Sequence, residues 1–256
     1  FLRGHHAREH LSVDTPLRLL QWMLAEYKSG NSQIVSLVNS REIHFVPAVN
    51  PDGLEYDIAT GKYQMWRKNR SHNAGGTSGV DLNRNYGFEW GTGGSSKDGN
   101  SETYMGPQPF SEPETIAVKN YIESLPRLKV LLSYHTFSQL ILYPWGHTND
   151  PVSNAKDRQV FETMGQKMAN WTGYTAEAAS DLYIASGDTV DWAYGTHGIF
   201  DFTFELDPSS NDGGWTGEQG FYPGDEVIDA VVEKNKQPFL YMIGLADDPY
   251  RALNFG

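Results

Sequence analysis

The chain of 256 residues contains no cysteine, which excludes disulfide bonds, thiol catalysis and cysteine-ligated zinc. It also has no apolar run of the roughly 20 residues that a membrane-spanning helix needs. Basic residues are scarce, since 20 Lys and Arg stand against 32 Asp and Glu, giving a formal net charge of -12. This charge disfavours nucleic acid and anionic membrane surfaces as partners, and an anionic substrate would have to be met by local arginines.

The chain does contain alternating helix and strand patterns. The first helix is predicted over residues 13–30, where apolar residues recur at helical spacing before Gly30. These apolar residues are Leu17, Leu20, Met23, Leu24 and Tyr27. Further helices are predicted at 111–124, 157–171 and 225–246, and strands at 41–53, 129–146 and 199–206. The alternation predicts an α/β domain with a mixed, mostly parallel twisted sheet and helices on both faces.

Two local patterns add to this arrangement. Residues 56–109 are rich in Gly, Ser, Asn and aromatics without periodicity, and so long a loop inside a compact domain is usually functional. Ser111 and Glu114 have the spacing of a capping box, with Pro113 between them, and therefore predict a helix start.

The stretch GHHAREHLS, residues 4–12, contains two overlapping zinc motifs. His6 and Glu9 alone supply two ligands and need a third from elsewhere. His6, Glu9 and His10 together match the H-x-x-E-H pattern, in which both histidines bind zinc and the glutamate is the base. A solvated helix start is a third interpretation, and the motif by itself does not decide among them.

Two residues at strand ends are candidates for the same site. His135 ends the apolar run VLLSYH and would complete the two-His, one-Glu set of catalytic zinc sites, although a lone strand-end histidine is also commonly a core residue. Glu205 interrupts the aromatic strand FDFTFEL, where a carboxylate is costly to bury unless it is paired or catalytic. It is a candidate base, with a strand-end salt bridge as the alternative.

Arginine and asparagine concentrate in WRKNR (66–70) and DLNRNY (81–86), within the long loop. The planar fork of arginine binds a carboxylate through two hydrogen bonds, and asparagine adds a directional donor. Beside zinc, this combination predicts recognition of a free C-terminal carboxylate, unless the arginines are simply solvated. Tyr183 lies in a glycine-rich loop from which its hydroxyl could close over a substrate, although most loop tyrosines are packing residues.

Taken together, these segments resemble the zinc carboxypeptidases of the carboxypeptidase A and B type, and most closely the bacterial carboxypeptidase T group. They occur in family order and extend along essentially the whole chain. The matching segments are HHAREHL, NPDG, WRKNR, GVDLNRNYG, SETYMG, HTFSQLILYPWG, LYIASGDTVDWAYG and FTFEL.

The resemblance implies a ligand set for one Zn2+ ion. By match, His6, Glu9 and His135 would bind the ion, and His10 would not. Asp81 would orient a ligand histidine from behind.

The resemblance also implies the remaining catalytic roles. Glu205 matches the general base, and Arg67 matches the residue that polarises the scissile carbonyl and stabilises its oxyanion. Asn83, Arg84 and Tyr183 match the group that fixes the terminal carboxylate, with Tyr183 on a mobile lid loop. Cleavage should therefore remove single residues from the C-terminus.

Side-chain specificity follows from positions that match the pocket wall. These positions are Val190, Leu142, Gly146, Ala185 and Thr189. Because basic-specific members carry an aspartate where this chain has Val190, hydrophobic and aromatic residues should be preferred. Asp188 is also acidic in carboxypeptidase T and would admit Lys or Arg as a second choice.

By the resemblance, residues 1–256 form one catalytic domain that lacks the N-terminal edge strands and first helix of the family. It would be a secreted monomer acting on the C-termini of peptides and proteins. A stabilising calcium ion is compatible with the resemblance, but no motif indicates one. Two other functions remain open, namely a relative that trims peptidoglycan peptides or isopeptides, and a non-catalytic peptide-binding module on the same fold.

Overall fold

The computed structural model of the chain describes residues 1–210 and 217–254. Its strands are β1 (Leu2–Arg3), β2 (Val130–Ser138), β3 (Leu140–Tyr143), β4 (Thr175–Ala178) and β5 (Phe200–Ser209). Its α-helices are α1 (Leu11–Ser29), α2 (Ser32–Ser40), α3 (Pro51–Ile58), α4 (Pro113–Glu123), α5 (Ala155–Thr172), α6 (Ala179–Leu182), α7 (Thr189–His197), α8 (Glu218–Phe221) and α9 (Ile228–Gly244). Short 3-10 helices lie at Leu82–Arg84, Asp225–Val227 and Pro249–Asn254. None of the helices in these two ranges has the length and apolarity to cross a bilayer.

In the described part of the chain the strands form one sheet in the order β1-β2-β5-β3-β4. The pairs β1/β2, β2/β5 and β3/β4 are parallel, whereas β3 and β5 are antiparallel. Helices α1, α5 and α9 pack on one face, and α4 and α7 pack on the other. The predicted mixed, mostly parallel sheet with helices on both faces is thereby confirmed.

Strand β5 shows how the sequence pattern produces this arrangement. Phe200, Phe202 and Phe204 alternate along the strand and enter the larger hydrophobic core, each at most 4% exposed. Successive side chains of a strand point to opposite faces, so Thr203 and Glu205 lie on the other face. Glu205 stands beside His135 of β2 in the strand register. His135 and Glu205 thus both lie near the carboxyl ends of two parallel strands, where loops build ligand sites in α/β sheets.

Helix α1 matches the predicted 13–30 closely, but only part of the predicted apolar set is buried, since Met23 and Leu20 contact the core whereas Leu17, Leu24 and Tyr27 are exposed. Leu24 is 47% exposed and Leu17 is 37% exposed, whereas Leu19 is fully buried and Met23 is 4% exposed. The helical spacing of apolar residues identifies the helix. Other apolar residues lie on its remaining sides, however, so the sequence does not show which side faces the core. The packing partners α2 and α9 decide that direction, because α1 contacts both.

Two other local predictions are also corrected. Residues 41–50 are extended but form no regular strand, although Val46 and Val49 donate backbone hydrogen bonds to Phe1 and Arg3 at 3.0 Å each. The NPDG sequence is not a turn, because Asn50 caps α3 by accepting a hydrogen bond from the Gly53 N–H at 3.0 Å. Asparagine followed by proline is a helix start as readily as a turn.

The predicted capping box at the start of α4 is not formed. The cap position is Glu112, whose side chain makes no capping hydrogen bond, and the Ser111 hydroxyl donates to Glu112 instead. Glu112 in turn accepts a hydrogen bond from Asn69 of the long loop at 2.7 Å. A long-range contact therefore replaces the local cap, and a four-residue pattern does not reveal it.

A cavity of about 760 Å³ lies along the β1 edge, beside residues 39–46 and 121–132. It faces the amino-terminal half of β2 rather than the end that carries His135. None of the residues predicted for the site lines this cavity. The candidate site must therefore be built from the loops at the opposite end of the sheet.

The exposure difference along α1 predicts unequal effects of the same substitution. Leu19→Ala should lower the free energy of unfolding by about 2–5 kcal/mol, because it removes a fully buried side chain and leaves a cavity. Leu24→Ala on the same helix should change it by about 0.5 kcal/mol or less. Denaturant unfolding of both variants measures this, and equal losses would contradict the assigned face.

Candidate active site

His6, Glu9 and His135 converge on one buried point. Glu9 Oε1 lies 2.7 Å from His6 Nδ1, and Glu9 Oε2 lies 3.0 Å from His135 Nδ1. The two Nδ1 atoms are 3.2 Å apart, and all three side chains are at most 3% exposed. The three residues form a group that could hold a metal ion. Their donor set is the two-His, one-carboxylate set of catalytic zinc sites, so these residues fit zinc.

The ligand segment is a turn rather than a helix. Gly4, with φ +68°, turns the chain out of β1, and a Cβ there would lie 3.1 Å from Val13. The Glu9 N–H donates to the His6 carbonyl at 3.2 Å, which closes the turn just before α1 begins. Strand β2 presents His135 from the sheet. The solvated helix start is excluded for His6 and Glu9, because both are buried.

Asp81 connects the metal group to two other parts of the site. Its Oδ1 lies 3.0 Å from His6 Nε2, and its Oδ2 accepts hydrogen bonds from Arg67 Nε at 3.0 Å and from a second Arg67 nitrogen at 2.9 Å. Oδ1 also accepts from the Asn83 N–H at 3.0 Å and so begins the 3-10 helix Leu82–Arg84. The contact with the Asp81 carboxylate therefore places a proton on His6 Nε2. The lone pair of His6 Nδ1 then faces the side of Glu9.

The ionisation of this group follows from its contacts. Burial opposes charge on Glu9, but His6 and His135 outweigh it and lower the pKa of Glu9 below its ordinary value of 4.5. Burial likewise opposes charge on Asp81, and Arg67 and His6 hold its pKa well below 3.8. Burial lowers the pKa of His135 below 6.5. Anionic carboxylates and a neutral imidazole are the states in which these residues bind a metal.

Glu205 lies half-buried beside this group. Burial is the largest cause that raises its pKa well above 4.5; the charge of Glu9 adds to the rise, and Arg67 and Arg84 oppose it. In the described ranges it has no ion-pair partner within 4.0 Å, so the strand-end salt bridge is not present there. A carboxylate whose pKa is raised in this way is suited to accept and return a proton.

The residues predicted to bind a terminal carboxylate are assembled. The side-chain oxygen of Asn83 accepts from the Thr189 N–H at 3.0 Å and from its hydroxyl at 2.7 Å, which leaves the Asn83 amide NH2 to donate elsewhere. The Arg84 guanidinium is centred 5.7 Å from the ring of Tyr183, which is 50% exposed. Arg84 itself is 3% exposed, and no carboxylate of residues 1–210 or 217–254 forms an ion pair with it. Its guanidinium donates to the Asn83 carbonyl at 2.7 Å and to the Gly94 carbonyl at 3.4 Å, so its positive charge has neutral partners and is available to an anionic ligand.

The predicted wall residues surround one another beside this group. Leu142 and Val190 are packed together and are 5% and 2% exposed. Ala185 donates its N–H to the Gly146 carbonyl at 2.9 Å. A Cβ on Gly146 would lie 2.6 Å from Asp188 Oδ2, so a larger residue would press on that carboxylate. The wall is therefore mostly apolar, with one acid in it.

Asp191 is an important residue that the sequence analysis missed. Its carboxylate accepts from the Gly146 N–H at 2.8 Å and the His147 N–H at 2.9 Å, and it also lies 2.6 Å from His147 Nδ1. It therefore fixes the loop after β3 to the start of α7. The only sequence signal is its place in the matching segment LYIASGDTVDWAYG.

His10 does not belong to the metal group. Its Nε2 lies 2.8 Å from Asp57 Oδ2, and the residues that could hold a metal are His6, Glu9 and His135. The H-x-x-E-H interpretation of the opening motif is therefore wrong in geometry.

Comparison with known proteins identifies the family of this chain. The family model described as zinc carboxypeptidase matches residues 3–238. The chain therefore belongs to the zinc carboxypeptidase family. It is 40% identical over 255 residues to a zinc carboxypeptidase of Saccharothrix mutabilis subsp. capreolus, covering 96% of this chain and 57% of the relative. It is 34% identical to human carboxypeptidase A5 over 90% of this chain and 52% of that protein. The chain thus spans a little more than half the length of these two relatives.

Solved structures show the same relationship. The thrombin-activatable fibrinolysis inhibitor superposes with a TM-score of 0.81 at 28% identity, covering 96% of this chain and 61% of that one. Its bovine form, solved with a tick carboxypeptidase inhibitor, gives a TM-score of 0.80 at 28% identity, covering 96% of this chain and 80% of that one.

The contacts of Asp81 predict an effect on metal binding. Asp81→Asn should weaken zinc affinity by about 10–100-fold, because His6 loses the carboxylate that orients its ring. Asp157→Asn is the matched control, since Asp157 accepts hydrogen bonds from Tyr194 and Tyr250 and contacts no member of the metal group. Zinc titration calorimetry of both variants measures the effect. Equal affinities would contradict the role of Asp81.

Proposed function

We propose that this chain is the catalytic domain of a zinc-dependent metallocarboxypeptidase that removes single residues from the C-termini of peptides and proteins. The observation that carries the proposal is the buried Arg84, which forms no ion pair in the described ranges and directly follows Asn83, whose N–H donates to the same Asp81 carboxylate that contacts His6. A metal group alone would serve many hydrolases. An adjacent buried cation without a protein anion supports a substrate that brings its own carboxylate.

In this proposal His6, Glu9 and His135 would hold the zinc ion; the group has these three members among residues 1–210 and 217–254, which is the number of protein ligands in catalytic zinc sites. When bound, zinc supplies a Lewis acid that makes water nucleophilic near neutral pH. The low pKa values of Glu9 and Asp81 keep the two carboxylates anionic for this purpose.

The other residues act on the proton and on the developing charge. Glu205 takes the proton of the attacking water and returns it to the leaving amine. Arg67 is held by two hydrogen bonds to Asp81, and its third nitrogen lies 4.0 Å from Glu9 Oε1, so the guanidinium is fixed beside the metal group. A preoriented donor of this kind stabilises an oxyanion without reorganising in the transition state.

Binding of the terminal carboxylate fixes the cleavage position. Arg84 and the free amide NH2 of Asn83 supply the donors, and Tyr183 closes over them from the exposed loop. Internal peptide bonds lack the carboxylate and would leave Arg84 unpaired.

We further propose a monomeric, secreted protein, in line with the family resemblance. A role for calcium stays a prediction, and no residue is assigned to it.

The proposed activity predicts zinc-dependent release of C-terminal Phe from a blocked dipeptide. Zinc-loaded protein should cleave, whereas chelator-treated protein and the Glu205→Gln variant should lose at least about 100-fold in kcat/KM. Amino-acid release at matched protein concentration measures this.

Zinc stoichiometry of the Glu205→Gln variant is the control, since that variant should still bind one ion. A zinc-loaded wild-type chain that cleaves nothing would contradict the enzyme and favour a peptide-binding module. Cleavage of isopeptides in preference to α-peptides would favour the peptidoglycan-trimming relative instead.

The pocket wall supports a preference for apolar residues. Burial is the largest cause that raises the pKa of Asp188 well above 3.8, and the nearby Asp191 raises it further. One oxygen of Asp188 is also occupied, because it accepts from the Asp191 N–H at 2.9 Å to cap α7. A carboxyl group that resists ionisation attracts Lys or Arg only weakly. Leu142 and Val190 meanwhile favour hydrophobic guests.

This wall predicts that kcat/KM for a blocked dipeptide ending in Phe exceeds that for one ending in Arg. Asp188→Asn should reduce Arg cleavage further and leave Phe cleavage within about threefold, because it removes the acidic group but keeps its size. Steady-state kinetics on both substrates test the order. Cleavage of Arg equal to or faster than Phe in the wild-type chain would refute it.

A further inference from the structure

Asp57 is a fully buried carboxylate near the end of α3 that none of the roles above uses. Its Oδ1 accepts a hydrogen bond from the Trp66 N–H at 2.7 Å. Its Oδ2 lies 2.8 Å from His10 Nε2 and accepts from the Tyr222 hydroxyl at 2.5 Å. One side chain thus joins three segments that are far apart in the sequence.

The segments that carry His10 and Trp66 each contain a residue of the proposed site. His10 directly follows Glu9, and Trp66 directly precedes Arg67. The distance between these two backbone positions is therefore fixed through the two oxygens of one carboxylate. The Ala7 N–H also donates to the Arg67 carbonyl at 3.0 Å, so Asp57 adds a second connection between the ligand turn and the long loop.

Tyr222 adds the segment after β5. The preceding residue, Phe221, lies over the guanidinium of Arg8 at 4.4 Å and packs against Phe137 at 5.1 Å between ring centroids. Arg8 lies between the metal ligands in sequence, and Phe137 follows His135 by two residues. The Tyr222 hydroxyl therefore connects this aromatic wall to the same carboxylate.

Aromatic packing holds the donors in place. The rings of Tyr63 and Tyr222 stack with centroids 3.6 Å apart and an interplanar angle of 7°. His10 lies 5.3 Å from Tyr63 and 5.4 Å from Tyr222. The carboxylate thus meets donors whose directions are already set, which lowers the entropy cost of each hydrogen bond.

A buried carboxylate without donors would be strongly unfavourable, so Asp57 penalises any movement that withdraws one of its three partners. Small displacements near a reacting centre reduce rates steeply, by as much as about 100-fold for 1 Å. The buried carboxylate therefore couples the position of Glu9 to that of Arg67.

We propose that Asp57 is a positioning residue of this active site, acting through His10 on the metal ligand Glu9 and through Trp66 on Arg67, with Tyr222 fixing the Phe221 segment to the same point. The inference rests on the proposed function for the roles of Glu9 and Arg67. It also gives His10 a task, namely to anchor the ligand turn from outside the metal group.

The test compares Asp57→Asn and Tyr222→Phe with the control Tyr250→Phe. Asp57→Asn keeps an oxygen for the Trp66 N–H but replaces the oxygen that serves His10 and Tyr222. Tyr222→Phe keeps the ring stack and loses one hydroxyl. Tyr250→Phe removes an equivalent tyrosine–aspartate hydrogen bond, 2.6 Å to Asp157, from the C-terminal 3-10 helix. For each, zinc affinity, thermal midpoint, kcat and KM on the blocked dipeptide are measured well below the midpoint.

Asp57→Asn should lower kcat by about tenfold or more, leave KM within about threefold and weaken zinc binding, since alignment rather than substrate contact is lost. Tyr222→Phe should give a smaller loss of kcat in the same direction. The double variant should lose less than the product of the single effects, because both changes remove one shared hydrogen bond. Tyr250→Phe should leave kcat and zinc affinity unchanged.

A folded Asp57→Asn protein whose kcat and zinc affinity equal those of Tyr250→Phe, with only a lower thermal midpoint, would overturn the inference. If Asp57→Asn does not fold, Tyr222→Phe decides by the same criteria. If the wild-type chain binds zinc but cleaves nothing, the proposed function fails separately, and the zinc affinities of the variants still test the anchoring of Glu9 through His10.

Discussion

The carboxylate of Asp81 is the interaction on which the candidate site depends. Its two oxygens contact His6, Arg67 and the backbone of Asn83, so the residues proposed for metal binding, oxyanion stabilisation and recognition of a terminal carboxylate share one anchor. The low pKa of Asp81 follows from Arg67 and His6, which outweigh its burial. Because Asp81 is buried, removing Arg67 or His6 would leave the negative charge of Asp81 uncompensated, at a cost of about 3–5 kcal/mol.

Side-chain carboxylates replace secondary structure in the long loop between α3 and α4. That loop contributes Arg67, Asn83 and Arg84, yet within the described ranges it has little regular structure beyond one 3-10 helix. Isolated backbone hydrogen bonds such as that from Asn69 to Val80 hold part of it, and hydrogen bonds to acids add others, from Trp66 to Asp57 and from Asn83 to Asp81. A polar loop can thus be as precise as a strand when buried charges fix its ends.

The fold class was predictable from the periodicity of apolar residues. The proximity of His135 and Glu205 was predictable because each lies near the end of a predicted strand. The strand alternation around Glu205 and the apolar run before His135 place both residues at one sheet edge. The buried face of α1 was not predictable, since Leu24 and Leu19 are equally apolar and only α2 and α9 distinguish them. Similarly, His10 satisfies a zinc motif in sequence, but Asp57, 47 residues away, takes its ring nitrogen.

The charged side chains in and around the candidate site differ in their partners. Several hydrogen bonds are donated to each of three buried carboxylates, those of Asp57, Asp81 and Asp191. These bonds hold separate backbone segments together. Arg84 and Glu205 form no ion pair within 4.0 Å in the described ranges, although the guanidinium of Arg84 donates hydrogen bonds to the carbonyls of Asn83 and Gly94. In the proposed function the two side chains without an ion pair, Arg84 and Glu205, act on the substrate and its proton, whereas the hydrogen-bonded carboxylates form the frame that holds them in position.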